Sequence, residues 1–159
     1  MIVSSHIKAS GVLGLGVYAY TGEYLPSIAC FLSGWLIDVD HFLDWRANFG
    51  LTLNYARVFK NFERGRLRHA YILLHAWEYI IAVLGLYTLY DLPPWVPYAT
   101  LGYTCHLILD QIFNRPKRSL TYFLTYRILH GFNGSFLLMR GQVSTPASAK
   151  NQAVHTEGY

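Results

Sequence analysis

Charge is what this chain has least of. Its 159 residues include 13 Lys and Arg and only 9 Asp and Glu, so 14% of the chain is charged against 53% hydrophobic. That is too oily for an ordinary soluble enzyme, while a mean hydropathy of +0.22 falls short of a pure transporter. Cysteine is equally scarce. Cys30 and Cys105 both sit in apolar stretches, where a buried free thiol is expected in preference to a disulfide. Alternating apolar and polar runs between hairpin turns are missing, and no segment repeats, so sheets and solenoids are set aside. No secretory signal stands out: residues 11–20 have the length of a signal core, but only Lys8 flanks them and no small-residue cleavage site follows.

What remains is apolar, aromatic and helical. Punctuation by Thr21-Gly22-Glu23-Tyr24-Leu25-Pro26, by Asp91-Leu92-Pro93-Pro94 and by Asn114-Arg115-Pro116-Lys117-Arg118 leaves five segments. They run from about Ser5 to Tyr20, Ser27 to Asp44, His69 to Tyr90, Trp95 to Phe113 and Ser119 to Met139. The expected fold is all-α: one domain over residues 1–140, an up-down bundle of about five helices, followed by a polar, disordered tail over 141–159. Thirteen Tyr and four Trp favour a membrane-water boundary, so the bundle is expected to be membrane-embedded, although its helices are barely long enough for the ~20 residues of a span.

The basic residues are not scattered. They gather between 46 and 68 and at 115–118, while the two tight turns carry acids and prolines. In an up-down bundle this puts all the basic stretches at one end, which the positive-inside rule makes cytoplasmic. Arg64, Arg66, Arg68, His69, Arg115, Lys117 and Arg118 become candidate contacts for anionic head groups. Net charge alone also suits nucleic acid, but these residues border apolar segments, so lipid is the expected partner and nucleic acid is not.

Against this background the acids are conspicuous, because most stand beside a histidine. Asp38-Val39-Asp40-His41 with Asp44, His75-Ala76-Trp77-Glu78, and His106-Leu107-Ile108-Leu109-Asp110 all fall at the basic end, as does His6. Helical spacing of three or four pairs Asp38 with His41, His41 with Asp44, His75 with Glu78 and His106 with Asp110 on common faces. Taken alone, the His106 and Asp110 pair reads as a buried hydrogen bond, the Asp38 to His41 run is even between a helix cap and a ligand set, and His75 with Glu78 is a weak signal. Convergence of all of them within about 15 Å of one end is what points to a metal ion. Mixed imidazole and carboxylate donors suit zinc, and also manganese or iron, as one or more ions. Metal ligands are then expected among His6, Asp38, Asp40, His41, His75, His106 and Asp110, with Asp40 bridging or standing behind a ligand. Glu78 is the carboxylate left over as general base. His130, with no acid nearby, reads as a core histidine.

The N-terminal histidine, Leu36-Ile37-Asp38-Val39-Asp40-His41 and Gly102-Tyr103-Thr104-Cys105-His106-Leu107-Ile108-Leu109-Asp110 together resemble the family of membrane-bound metal-dependent hydrolases. Its best-known bacterial members are inner-membrane proteins under control of the DNA-damage repressor. The resemblance covers roughly residues 5 to 113 and implies that Asp38, Asp40, His41, His106 and Asp110 belong to a metal site, with His6 as the matching N-terminal histidine. Ile37 stands where that family has proline, and the family's middle H-R-x-x-T-H-S element is replaced by Arg68-His69 and Leu74-His75 at a different spacing. A more distant likeness is to zinc-dependent phospholipase C.

The leading expectation is therefore a membrane-bound, metal-dependent hydrolase of a phosphoester or ester, possibly a lipid, at the cytoplasmic face. The alternative is a non-catalytic bundle whose His and Asp clusters form a structural metal or ion-pair site. A carboxylate-bridged redox bundle ranks last, because its Glu-x-x-His order is reversed here.

Overall fold

A computed structural model describes residues 3–50, 67–114, 116 and 118–138. Their order is α1 (Val3–Thr21), α2 (Tyr24–Trp35), a 3₁₀ helix (Leu36–Asp40), α3 (His41–Phe49), α4 (Trp77–Leu89), α5 (Val96–Phe113), a second 3₁₀ helix (Ser119–Tyr122), α6 (Leu124–Leu129) and α7 (Gly134–Leu137). No strand occurs among the described residues, so the all-α expectation stands; a single isolated bridge joins His69 to Asn133. The 141–159 tail, with Arg64, Arg66, Arg115 and Lys117, lies outside the described residues.

Three helices make the frame. Gly22, at φ +72°, turns the chain from α1 into α2, and Pro26 sits in the first turn of α2, where its missing N–H costs nothing. Helix α2 packs on both α1 and α5 through small residues. Ser27 Oγ donates to the Gly14 carbonyl at 2.7 Å, and Ser33 Oγ donates to the Ala99 carbonyl at 2.7 Å. A Cβ on Gly102 would meet the Cys30 carbonyl oxygen at 2.0 Å, so only glycine permits this approach of α5 to α2.

The second expected helix does not continue to Asp44. It tightens into the 3₁₀ turn at Leu36–Asp40 and restarts at His41. With three residues per turn, positions i and i+3 eclipse. Ile37 and Asp40 therefore both point inward, Leu36 and Val39 both point out, and Asp38 shares the third face with His41. The third expected helix also starts late. Residues 67–76 form a loop, because their backbone N–H groups go to side chains of α3 and the 3₁₀ turn. Asp44 accepts from Tyr71 N at 2.6 Å and Ile72 N at 3.1 Å, and Asp40 accepts from Leu74 N at 2.8 Å. Asn48 Oδ1 accepts from Arg68 N and His69 N. The fifth expected helix breaks at Gly131 and Phe132, at φ +58° and +53°, with Asn133 capping α7.

No helix among the described residues is long and apolar enough to cross a membrane, so the spans expected from composition are not found there. The longest two are interrupted by polar and charged residues: α1 by His6, Lys8 and Ser10, and α5 by His106 and Asp110. Apolar side chains nonetheless line the outside. Helix α4 is mostly apolar after Glu78 yet has no buried residue, with Ile81 at 64% and Leu84 at 59% exposure. The largest fully buried side chains are mostly polar: Arg127, His6, His75, His106, Thr121, Asp40, Asp44 and Asp110. A small apolar core of Ile37, Leu107 and Tyr122 sits beside them.

Candidate metal centre

The site assembles where α1 begins, α2 ends and α5 nears its end. His106 and Asp110 project from one face of α5, Asp38 comes from the 3₁₀ turn, and His75 is carried by the loop ahead of α4. His75 Nδ1–H donates to Asp40 Oδ2 at 3.0 Å, and His106 Nδ1–H donates to the Gly34 carbonyl at 2.8 Å. Neither acceptor can donate, so both rings carry a proton on Nδ1, which leaves each Nε2 for a cation or for a second proton. Those two Nε2 atoms face each other at 3.0 Å.

Two carboxylate oxygens complete the group. Asp38 Oδ1 is 3.5 Å from each Nε2, and Asp110 Oδ2 is 3.3 Å from His75 Nε2 and 3.5 Å from His106 Nε2. A tetrahedral ion with bonds of about 2.0–2.2 Å sets donor separations of roughly 3.3–3.6 Å. Two imidazoles and two carboxylates thus stand with five of their six donor separations between 3.0 and 3.5 Å, close enough for a cation to be held among them. His75, His106 and Asp110 are almost completely buried, and the Asp38 side chain is 9% exposed. Charge and lone pairs of this kind are not left facing one another in a dry interior without compensation.

Two histidines flank the four donors. His6 Nε2 lies 2.9 Å from Asp110 Oδ1, and its ring stacks on His106 with centroids 4.0 Å apart. His41 stacks on His75, and its Nε2 lies 3.4 Å from Asp38 Oδ1. A looser grouping, with donor atoms within 4.8 Å of one another, collects His6, Asp38, His106 and Asp110 in one set and Asp38, His41 and His75 in another. A buried His/Asp cluster able to hold a metal ion is thus present, and Asp38 belongs to both sets.

The electrostatics record the same demand for positive charge. Burial opposes ionisation of Asp38 and Asp110, yet the surrounding histidines hold both carboxyls far below the usual carboxylate range. Burial likewise opposes a charged His75, but Asp110, Asp38 and Asp40 together push it well above its ordinary value. His41, desolvated but hydrogen-bonded to Asp38 and Asp44, is pushed up to about 9. In the absence of metal, protons supply the charge that the carboxylates require.

A shell of residues holds the His75 loop, with Tyr103 and Arg127 joining the acids Asp40 and Asp44 that the sequence marks. Asp44 takes its two backbone N–H groups. The Tyr103 hydroxyl accepts from Ala76 N at 3.0 Å and lies 2.5 Å from the Leu74 carbonyl; burial pushes its pKa up to about 12. Arg127 is fully buried, and its Nη1 donates to the His75 carbonyl at 2.8 Å and to the Thr121 carbonyl at 3.0 Å. A single arginine inside an apolar segment is itself a signal, since its burial needs a reason. Asp40 stands directly behind His75, fixing the ring from its far side.

Glu78 does not join the cluster. The expected helical pairing with His75 fails because His75 precedes the helix, and Glu78 Oε1 instead accepts from Thr125 N and Thr125 Oγ1, both at 2.8 Å, in the first turn of α6. Of the head-group candidates that are described, Arg68 is exposed, His69 is half-buried against Tyr71, and the Arg118 guanidinium lies 5.0 Å from the centre of the Phe136 ring.

Compared with protein-family models, with curated proteins and with solved structures, the chain matches none of them. The likeness to membrane-bound hydrolases rests on the motif residues alone.

Proposed function

We propose that this chain is a metal-dependent hydrolase of a phosphoester or ester, working at a lipid surface. One observation carries the reading: His75, His106, Asp38 and Asp110, from three separate parts of the chain, bring donor atoms to within 3.0–3.5 Å around two facing Nε2 atoms, with an acceptor behind each Nδ1. His75, His106, Asp38 and Asp110 would hold the ion, zinc or else manganese or iron. A bound ion of this kind lowers the pKa of a water and neutralises a developing oxyanion. The chain's own work is positional: Asp40 and Gly34 orient the two rings, while Arg127, Tyr103 and Asp44 hold the His75 loop. Glu78, engaged by Thr125, is no longer the carboxylate of choice for a base.

The lipid setting is supported by the inversion of polarity. Small residues and serine hydroxyls pack the frame, polar groups fill the interior, and apolar side chains of α2, α4 and α5 face outward. Such a distribution suits surroundings as apolar as the side chains that meet them. Arg68 and Arg118 are available to anionic head groups, and the basic end is proposed to face the cytoplasm.

The second reading is a structural metal staple. Four protein donors, all largely buried, describe a closed site, and closed four-donor zinc sites are usually structural. Turnover decides between them. Purified protein in mild detergent should hydrolyse a phosphodiester or an ester when zinc or manganese is supplied, and Asp110→Asn should abolish this while leaving the fold. Activity retained in Asp110→Asn overturns the hydrolase reading. Metal bound without turnover of any ester or phosphoester favours the staple.

A further inference from the structure

We infer that the turn over residues 72–76 is the gate through which the ion enters and leaves, with Ile72 as its strained hinge and the Tyr103 hydroxyl as its latch. This rests on the metal reading above and deepens it. All four donor side chains are nearly buried, so an ion reaches them only if a segment that carries one of them moves. Three of the four sit within helical structure: His106 and Asp110 in α5, and Asp38 in the 3₁₀ turn that runs straight into α3. Shifting α5 would break its close packing against α2 at Gly102 and Cys30. His75 alone is carried by a loop.

Backbone strain marks the same loop. Among the described residues, the non-glycine positions with positive φ are Ile72 and Phe132, at +33° and +53°. A β-branched residue there is a genuine outlier, and such strain collects at clamps and switches. The two positions belong to one contact. Ala70 N donates to the Phe132 carbonyl at 2.9 Å, and the Tyr71 and Phe132 rings lie 5.1 Å apart. Asp44 holds Ile72 by accepting from its N–H, and His75 N closes a tight turn by donating to the Ile72 carbonyl at 3.0 Å. On the far side the Tyr103 hydroxyl accepts from Ala76 N at 3.0 Å and reaches the Leu74 and Ala76 carbonyls at 2.5 and 2.9 Å. Rotation about Ile72 and Ala76 therefore swings the imidazole while α4, which starts at Trp77, stays in place. Opening relieves the strain at Ile72. It gives up the Tyr103 contacts together with those of Asp40 and Arg127 to Leu74 and His75, so the shut turn is the predominant state.

The test uses the full chain in mild detergent with Co²⁺ alone as the probe, its uptake followed by stopped-flow absorption and its release by chelator competition. Uptake by wild type should reach a plateau rate that no longer rises with Co²⁺ concentration, because opening then limits entry. Tyr103→Phe should raise that plateau and the release rate together, by roughly fivefold, with affinity changed by less. Ile72→Gly, which removes the strain that opening relieves, should slow release. Wild-type uptake that rises in proportion to Co²⁺ throughout overturns the gate and leaves the metal centre standing. Faster release from Tyr103→Phe without a faster plateau overturns the latch, and release from Ile72→Gly as fast as from wild type overturns the hinge. No uptake by wild type overturns the metal reading itself. The wild-type concentration dependence decides the matter even if neither variant folds.

Discussion

His75 and His106 bring their Nε2 atoms to 3.0 Å of each other, each with its Nδ1–H already given to an acceptor. That approach needs a proton on one Nε2 or a cation between them, and the nearby carboxylates favour the charge on either. Every residue that keeps the two rings there is holding a place for positive charge. The predictions follow from which groups do the holding.

Asp40 orients a ligand from behind. Asp40→Ala should weaken zinc binding by about 10–100-fold, the range seen when such supporting carboxylates are lost. Asp38→Ala or Asp110→Ala, which remove donors themselves, should cost more. Competition titration against a chromogenic chelator ranks the three variants; equal losses for all would place Asp40 among the donors.

Asp44 does no ligation but accepts two backbone N–H groups of the His75 loop from full burial. Asp44→Ala strands both donors and should destabilise the protein by on the order of 2–4 kcal/mol. Denaturant unfolding of the metal-loaded protein measures this, and a change below about 0.5 kcal/mol, the size of ordinary surface substitutions, would mean the loop is held elsewhere.

Gly102 and Gly16 make a matched pair. A methyl group at Gly102 collides with the Cys30 carbonyl and with Ser33 Oγ, at 2.0 and 2.6 Å, whereas one at Gly16 meets nothing within 4 Å. Gly102→Ala should force α5 from α2 and cost about 1–3 kcal/mol or more. It should also loosen metal binding, because His106 is anchored to Gly34 on α2. Gly16→Ala should be neutral or stabilising by up to about 1 kcal/mol, since alanine suits a helix better. Thermal melts of the two variants check the contrast.

Glu78 links stability to pH in acid. Partial burial raises its pKa, but the Thr125 backbone N–H and hydroxyl outweigh that and lower it below the ordinary glutamate value. A carboxyl whose folded pKa is depressed stabilises above its unfolded pKa and loses that contribution as pH falls through the folded value. Glu78→Gln should therefore lower stability by about 1 kcal/mol at neutral pH, with the difference shrinking as pH falls through the depressed folded value. The same variant should keep its metal and its turnover. Loss of turnover with metal retained would restore Glu78 to the chemistry.

Much of the site was legible because its residues announce themselves. An aspartate beside a histidine in an apolar helix has few uses, and His6, Asp38, His41, His106 and Asp110 do gather at one end. The pairing of His106 with Asp110 across one helical turn held, at 3.5 Å. The pairing of His75 with Glu78 did not, since it assumed a helix through 69–76. That stretch is apolar enough for one, but its N–H groups are claimed by Asp40, Asp44 and Asn48, residues some 20–35 positions away. Such long-range acceptors leave no mark on local periodicity. Arg127 and Tyr103 escaped notice for the same reason: their partners are backbone carbonyls and amides, which every residue has.

The central claim is that His75, His106, Asp38 and Asp110 enclose a divalent ion. Metal content of detergent-purified protein, measured by mass spectrometry beside an Asp38→Ala, His106→Ala double variant, tests it most directly. The account predicts at least one equivalent of zinc or manganese per chain in the wild type and none in the variant. Metal-free wild type, even after zinc and manganese are supplied, would contradict it and leave a buried network of protonated histidines in its place.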